Sequence, residues 1–145
     1  WNYNVQFELL LGFGIQNVTV EYSADGVDWT TLGDVDLVCV HVEATDEASH
    51  QGDAALKIKA LEDIDRHIVG PIAEALQRAG DHRILISADH PTLLRTKTHA
   101  HGYVPWAIAG TGIEADAATR YDDPTAAKSE RVFEEGWKLM AEFLK

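Results

Sequence analysis

Cysteine is all but missing from this chain. Cys39 stands alone, which excludes an internal disulfide and fits a reducing compartment. It sits inside an apolar stretch, where a small buried hydrophobe is the expected role. Basic residues are also scarce: 12 Lys and Arg face 24 Asp and Glu, a formal charge of −12. Such a surface repels polyanions and excludes nucleic acid or an anionic membrane as the main partner. No apolar run approaches the roughly 20 residues of a membrane span, and no basic residue precedes an apolar segment at the N-terminus. These shortages together point to a cytoplasmic protein. An initiating methionine is lacking too, so the chain begins as if mid-sequence and leaves room for an upstream portion. Its 145 residues match one ordinary domain, long enough to bury a core.

What is present changes character near Gly33 and Asp34. In "NVTVEYSADGVDWTTLG", Val18, Val20 and Tyr22 alternate with polar residues, the chain turns at Asp25-Gly26, and Val27, Trp29 and Thr31 resume the pattern. This predicts a hairpin, and the preceding "VQFELLLGFGIQ" also reads as strand. Beyond Asp34, "VDLVCVHV" is a nearly unbroken apolar run of the kind a parallel strand covered on both faces carries. Residues 54 to about 79 place Leu56, Leu61, Ile64, Ile68, Ile72 and Leu76 at helical spacing, with Gly70-Pro71 expected to bend the helix and Gly80 to end it. "RILISAD" and "VPWAIAG" predict two more strands, and Phe133, Trp137, Met140 and Leu144 mark the packing face of a C-terminal helix. The expected fold is α/β, a largely parallel sheet with flanking helices, preceded by a short β-hairpin. Residues 1–33 form the hairpin segment and residues 34–145 the main domain.

In such sheets ligands gather beyond the carboxyl ends of the strands. Three polar loops fall there, "EATDEASH", "DHPT" and "KTHAHG", and they carry Asp46, His50, Asp89, His90 and His99. Carboxylate oxygens and neutral imidazole nitrogens suit divalent metals and leave positions open for substrate. Asp46 and His50 stand four residues apart, so one helical turn brings both to one face. Asp89 and His90 are adjacent and diverge at a strand end, which suits two ions better than one. Paired ions are the standard device for clamping a phosphoryl displacement. Taken singly, a D-x-x-x-H or an Asp-His pair is more often a helix-end carboxylate beside a solvated histidine. Placement of all five at strand ends is what favours metal. Glu43, Glu47, Lys57, Lys59, His67 and His82 read as solvated surface groups, and Asp53 as the cap of the long helix.

The stretches "DLVCVHVEATDEASHQGDAALKIKALEDIDRHIVGPI", "ILISADHPT" and "KTHAHGYVPWAIAG" resemble the C-terminal half of the cofactor-independent phosphoglycerate mutases. The likeness is to the archaeal-type branch, within the alkaline phosphatase superfamily, and it covers residues 34–145. It implies an alkaline-phosphatase-like fold and two divalent ions, manganese first, with zinc, magnesium or cobalt able to serve. One ion would be held by Asp46, His50 and His99, and the other in part by Asp89 and His90. His101 departs from the small polar residue usual in the family and is kept as a neighbour of the ligands. Tyr103 and Trp106 replace the usual Pro and Phe. The implied reaction interconverts 3- and 2-phosphoglycerate through a phosphoserine, with a small phosphorylated substrate as partner. The serine nucleophile and a further aspartate belong to the family's N-terminal part, and residues 1–33 hold no counterpart. Ser23, Ser49 and Ser87 are not at the family position, so no catalytic residue is assigned. The segment "NVTVEYSADGVDWTTLGDV" resembles instead a piece of a discoidin domain. The alternatives are another phosphohydrolase of the superfamily, or a non-catalytic metal-binding or recognition fragment.

Overall fold

In the computed structural model, residues 37–145 are described throughout, and before them the backbones of three strands, β1 (Leu11–Gly12), β2 (Thr19–Tyr22) and β3 (Thr30–Asp34). β2 and β3 pair antiparallel, Tyr22 opposite Thr30 and Glu21 opposite Thr31, with an irregularity before Thr19 meets Asp34. The predicted hairpin is therefore present in its strands. The turn expected at Asp25-Gly26, and Ser23 with it, lie outside the described residues.

Local chemistry explains the helices that follow. Helix α1 (Ala44–Gln51) has Asp46 and Glu47 in its first turn, where the positive end of the helix dipole favours carboxylates. It stops at Gly52, whose φ of 73° suits a residue without Cβ. The N–H of Gly52 donates to the Ser49 carbonyl and that of Asp53 to Ala48, a Schellman closure. Asp53 then caps helix α2 (Ala54–Ile64), its Oδ1 accepting from the Leu56 N–H at 2.9 Å, as expected. Two residues thus turn one helix into the next. α2 continues through a π turn, Asp65–Val69, into α3 (Gly70–Ala79). Pro71 offers no N–H and its ring crowds the carbonyl four residues back. The chain answers with a widened turn, in which the Gly70 N–H donates to Asp65. Gly80, at φ 120°, ends α3.

Strands β4 (Arg83–Ser87), β5 (Thr92–Leu93), β6 (Thr98–His99) and β7 (Trp106–Gly110) follow, then helices α4 (Asp123–Ala126) and α5 (Lys138–Phe143). The principal sheet runs β1-β4-β7, and β5 and β6 form a separate hairpin. Leu76 on α3 is 2% exposed and packs with Ile72, Val38 and Ile84, joining the helix to β4.

Three expectations need correcting. Among the described residues the largely parallel sheet is not found: β4 pairs antiparallel with both β7 and β1. The link from β4 to β7 holds only the β5–β6 hairpin, whereas parallel neighbours need a crossover, usually helical. The described part of the apolar run after Asp34 is not a strand either, since residues 37–43 carry no ladder. The positions beside Ile84 and Arg83 go to Leu11 and Gly12. Val38 still packs on Leu76, so the run is half-buried chain rather than sheet. Finally, the C-terminal helix is shorter than its aromatic stripe. Phe143 is fully buried while Trp137 is 71% exposed, and Phe133 instead meets Trp106 edge-on at 5.5 Å.

Candidate metal centre

α1 carries Asp46 and His50 on one face, one turn apart, with His50 Nε2 3.1 Å from Asp46 Oδ2. The β5–β6 hairpin pairs Thr92 with His99, which sets both side chains on the same side of the ribbon. His99 Nε2 then lies 3.4 Å from Asp46 Oδ1 and 3.0 Å from His50 Nε2. His90, in the loop leaving β4, lays its ring over that of His99 with centroids 3.9 Å apart. One ligand atom from each of Asp46, His90 and His99 falls within a 4.8 Å span. Asp89 stands at the outer margin, mostly exposed, with Oδ2 3.3 Å from His90 Nε2 and Oδ1 accepting from the His90 N–H. The structure thus brings all five predicted residues to one edge.

Two further residues aim these groups. His50 Nδ1 is 2.9 Å from the carbonyl oxygen of Lys97. A carbonyl only accepts, so Nδ1 carries the proton and the Nε2 lone pair faces Asp46 and His99. Lys97 reaches this position with φ at 57°, a left-handed backbone seldom taken by residues with a Cβ. Thr92 is 8% exposed, and its hydroxyl donates to Asp46 Oδ1 at 2.5 Å. The Thr92 hydroxyl oxygen also lies 3.2 Å from His90 Nδ1. Burial pushes the Asp46 carboxyl up, but the Thr92 hydrogen bond and then the His50, His99 and His90 imidazoles outweigh it. The net pKa lies below the ordinary carboxylate value.

This arrangement can be tested against a metal by its own electrostatics. With Nδ1 facing the Lys97 carbonyl, His50 turns Nε2 toward a carboxylate oxygen and a second imidazole nitrogen. Groups this close are held together only by a proton or a cation among them. Ligands bound at about 2.1 Å in tetrahedral or octahedral geometry are about 3.0–3.4 Å apart. The 3.0 Å between the His50 and His99 Nε2 atoms falls in that range, as do the 3.1 Å from His50 to Asp46 Oδ2 and the 3.4 Å from His99 to Asp46 Oδ1. The residues present therefore fit a divalent ion.

Other sequence readings sort as follows. His67 is exposed, and His82 bonds the Gly80 carbonyl through Nδ1, away from the cluster. Lys59 pairs with Asp63 on the surface of α2. Lys57, read as a surface residue, reaches inward and donates from Nζ to the Thr92 carbonyl at 3.1 Å. His101 is exposed, and the positions behind the ligands belong to Thr92 and Lys97. Neither was singled out in the sequence. Thr92 left one signal, its place directly after Asp89-His90-Pro91, and Lys97 left none.

A chain that collects carboxylate and imidazole donors from a helix, a loop and a hairpin strand at such close spacing presents the kind of site that metalloenzymes use. Residues 18–133 match the Metalloenzyme superfamily, and the chain belongs to that family. The match runs through the hairpin read above as discoidin-like. Among curated relatives, the chain is 45% identical over 98 residues to a protein of Methanothrix thermoacetophila named 2,3-bisphosphoglycerate-independent phosphoglycerate mutase, covering 67% of this chain and 25% of the relative. It is 43% identical over 106 residues to a probable enzyme of that name from Geobacter sulfurreducens, covering 72% and 27%. With 2,3-bisphosphoglycerate-independent phosphoglycerate mutase 2 of Methanothermobacter thermautotrophicus it shares 42% over 109 residues, covering 75% and 27%. The chain spans about a quarter of the length of these relatives. No solved structure matches.

Proposed function

We propose that this chain supplies the metal-binding part of a phosphoglycerate mutase that works without 2,3-bisphosphoglycerate. The reaction is phosphoryl transfer between the 3- and 2-hydroxyls of glycerate. The observation that carries this reading is the clustering of Asp46, His50 and His99: the His50 and His99 Nε2 atoms lie 3.0 Å apart, and each is within 3.4 Å of one of the two Asp46 carboxylate oxygens. The substrate follows from the relatives, which are phosphoglycerate mutases by name. In this reading Asp46, His50 and His99 hold one ion, and Asp89 with His90 contributes to a second, manganese being the first choice for both. Such ions, when bound, neutralise charge on a transferring phosphoryl group.

The protein's own contribution is geometric. The Lys97 carbonyl keeps Nδ1 of His50 proton-bearing, and Asp46 is held ionised by the Thr92 hydroxyl. Ser49 is buried with its hydroxyl donating to the Thr45 carbonyl, and Ser87 donates to the Ala88 carbonyl. Both hydroxyls are committed to backbone carbonyls, and in this reading neither serine is the nucleophile. A cytoplasmic location belongs to the same reading, and among the described residues no helix is long and apolar enough to cross a membrane.

Calorimetric titration with manganese tests the assignment. The chain is expected to bind the ion, and His50→Ala to weaken binding by at least about tenfold, the scale on which metal sites respond to lost support. Equal affinity in the two proteins would remove the assignment. Mutase turnover by the 145-residue chain alone is expected to be slight, because the hydroxyls of Ser49 and Ser87 are committed to backbone carbonyls.

A further inference from the structure

Thr92 stands between two ligand groups that the proposed function assigns to different ions. We infer that Thr92 is a positioning residue that couples the two metal subsites through a single hydroxyl group. The inference rests on the metal reading above and adds to it a residue that neither composition nor motif assigns.

The reasoning begins with what one hydroxyl can do: one donor and two acceptor lone pairs. Ionised Asp46 can only accept, so the Thr92 proton is committed to Oδ1 at 2.5 Å. What faces His90 Nδ1 at 3.2 Å is therefore an oxygen lone pair, which requires the proton on Nδ1. Nε2 of His90 is left bare, 3.3 Å from Asp89 Oδ2, at an edge spacing suited to shared coordination. A single atom thus fixes the rotamer of Asp46 and the tautomer of His90. The backbone that carries this hydroxyl is held from two sides. Lys57 on α2 bonds the Thr92 carbonyl at 3.1 Å, and the ladder to His99 fixes the strand. At 8% exposure, water is poorly placed to substitute for the hydroxyl if it is lost.

Manganese chloride titrations by calorimetry on the wild-type chain, Thr92→Val and Thr92→Ser test this. Valine keeps the shape and removes the hydroxyl, and serine keeps the hydroxyl. Thr92→Val is expected to weaken binding about 10–100-fold, while Thr92→Ser stays close to wild type. Wild-type affinity in Thr92→Val, or equal weakening in both variants, would overturn the inference while leaving the metal assignment standing. Absence of manganese binding by the wild type would overturn both. Should Thr92→Val fail to fold, nitrogen NMR of the unmodified chain, recorded where imidazoles are neutral, decides the matter. His90 protonated on Nδ1 supports the coupling, and protonation on Nε2 overturns it.

Discussion

Replacing Gly110 by alanine would drive a methyl group into the backbone of the neighbouring strand. The added Cβ would lie 2.2 Å from the His82 carbonyl oxygen and 2.8 Å from Arg83 Cα, at a residue whose φ is +123°. Two costs can be separated. Holding a side chain at that φ costs about 1–3 kcal/mol. Relieving the clash means moving the end of β7. That movement releases the Thr111 N–H bond to His82 and the pairing of Gly110 with Arg83, about 1 kcal/mol each. The sum is about 3–5 kcal/mol, a large part of the stability of an ordinary domain. Gly80 provides the control, since its φ is +120° but a Cβ there would meet nothing within 4 Å. Gly80→Ala should lose only the conformational part, leaving Gly110→Ala about 2 kcal/mol worse. Urea unfolding followed by tryptophan fluorescence measures both. An equal loss in the two variants would show that the β4–β7 register does not depend on the bare backbone of Gly110.

Other expectations are simpler to state. Leu76→Ala empties the contact shared by Ile72, Val38 and Ile84 and should cost about 2–5 kcal/mol in the same unfolding assay. Asp122 caps α4, and its pKa is lowered by the Thr125 hydrogen bonds, side-chain first and then backbone. Because the folded pKa lies below the unfolded one, the cap contributes fully above the unfolded value and is lost as pH falls through the folded one. The Thr125 amide resonance should therefore move only below the ordinary carboxylate range, and Asp122→Asn should suppress that acid transition.

The parts of the fold that the sequence announced are those decided within a few residues. Asp53 caps a helix whose first turn it can reach, Gly80 ends one where a positive φ is needed, and β4 and β7 are bounded by turn residues. Pairing direction is decided elsewhere. Whether residues 37–43 become a strand depends on which segment reaches the edge of β4, and that edge went to Leu11 and Gly12. The site divides in the same way. Asp46 and His50 were legible because a spacing of four means adjacency on a helix. His90 and His99 were legible through their place in polar loops next to strands, which the family resemblance then reinforced. Thr92 and Lys97 act through a hydroxyl and a backbone carbonyl, and the loop conformations that aim them leave no periodic trace.

The π turn ahead of Pro71 bears on how this protein tolerates changes in length. Ala60 and Leu76, both buried, are sixteen positions apart, and in an uninterrupted α-helix at about 100° per residue they would face about 160° apart. A turn that takes up one extra residue cuts this to about 60°, bringing the two onto a common side. Removing a single residue from Asp65–Val69 would let the turn close as ordinary α-helix with the same angle between the two contacts. Removing one anywhere between Val69 and Leu76 without that relaxation would swing Leu76 away from Ile84. The widened turn is thus a splice point, where the chain can gain or lose one residue while the β4 packing stays in register.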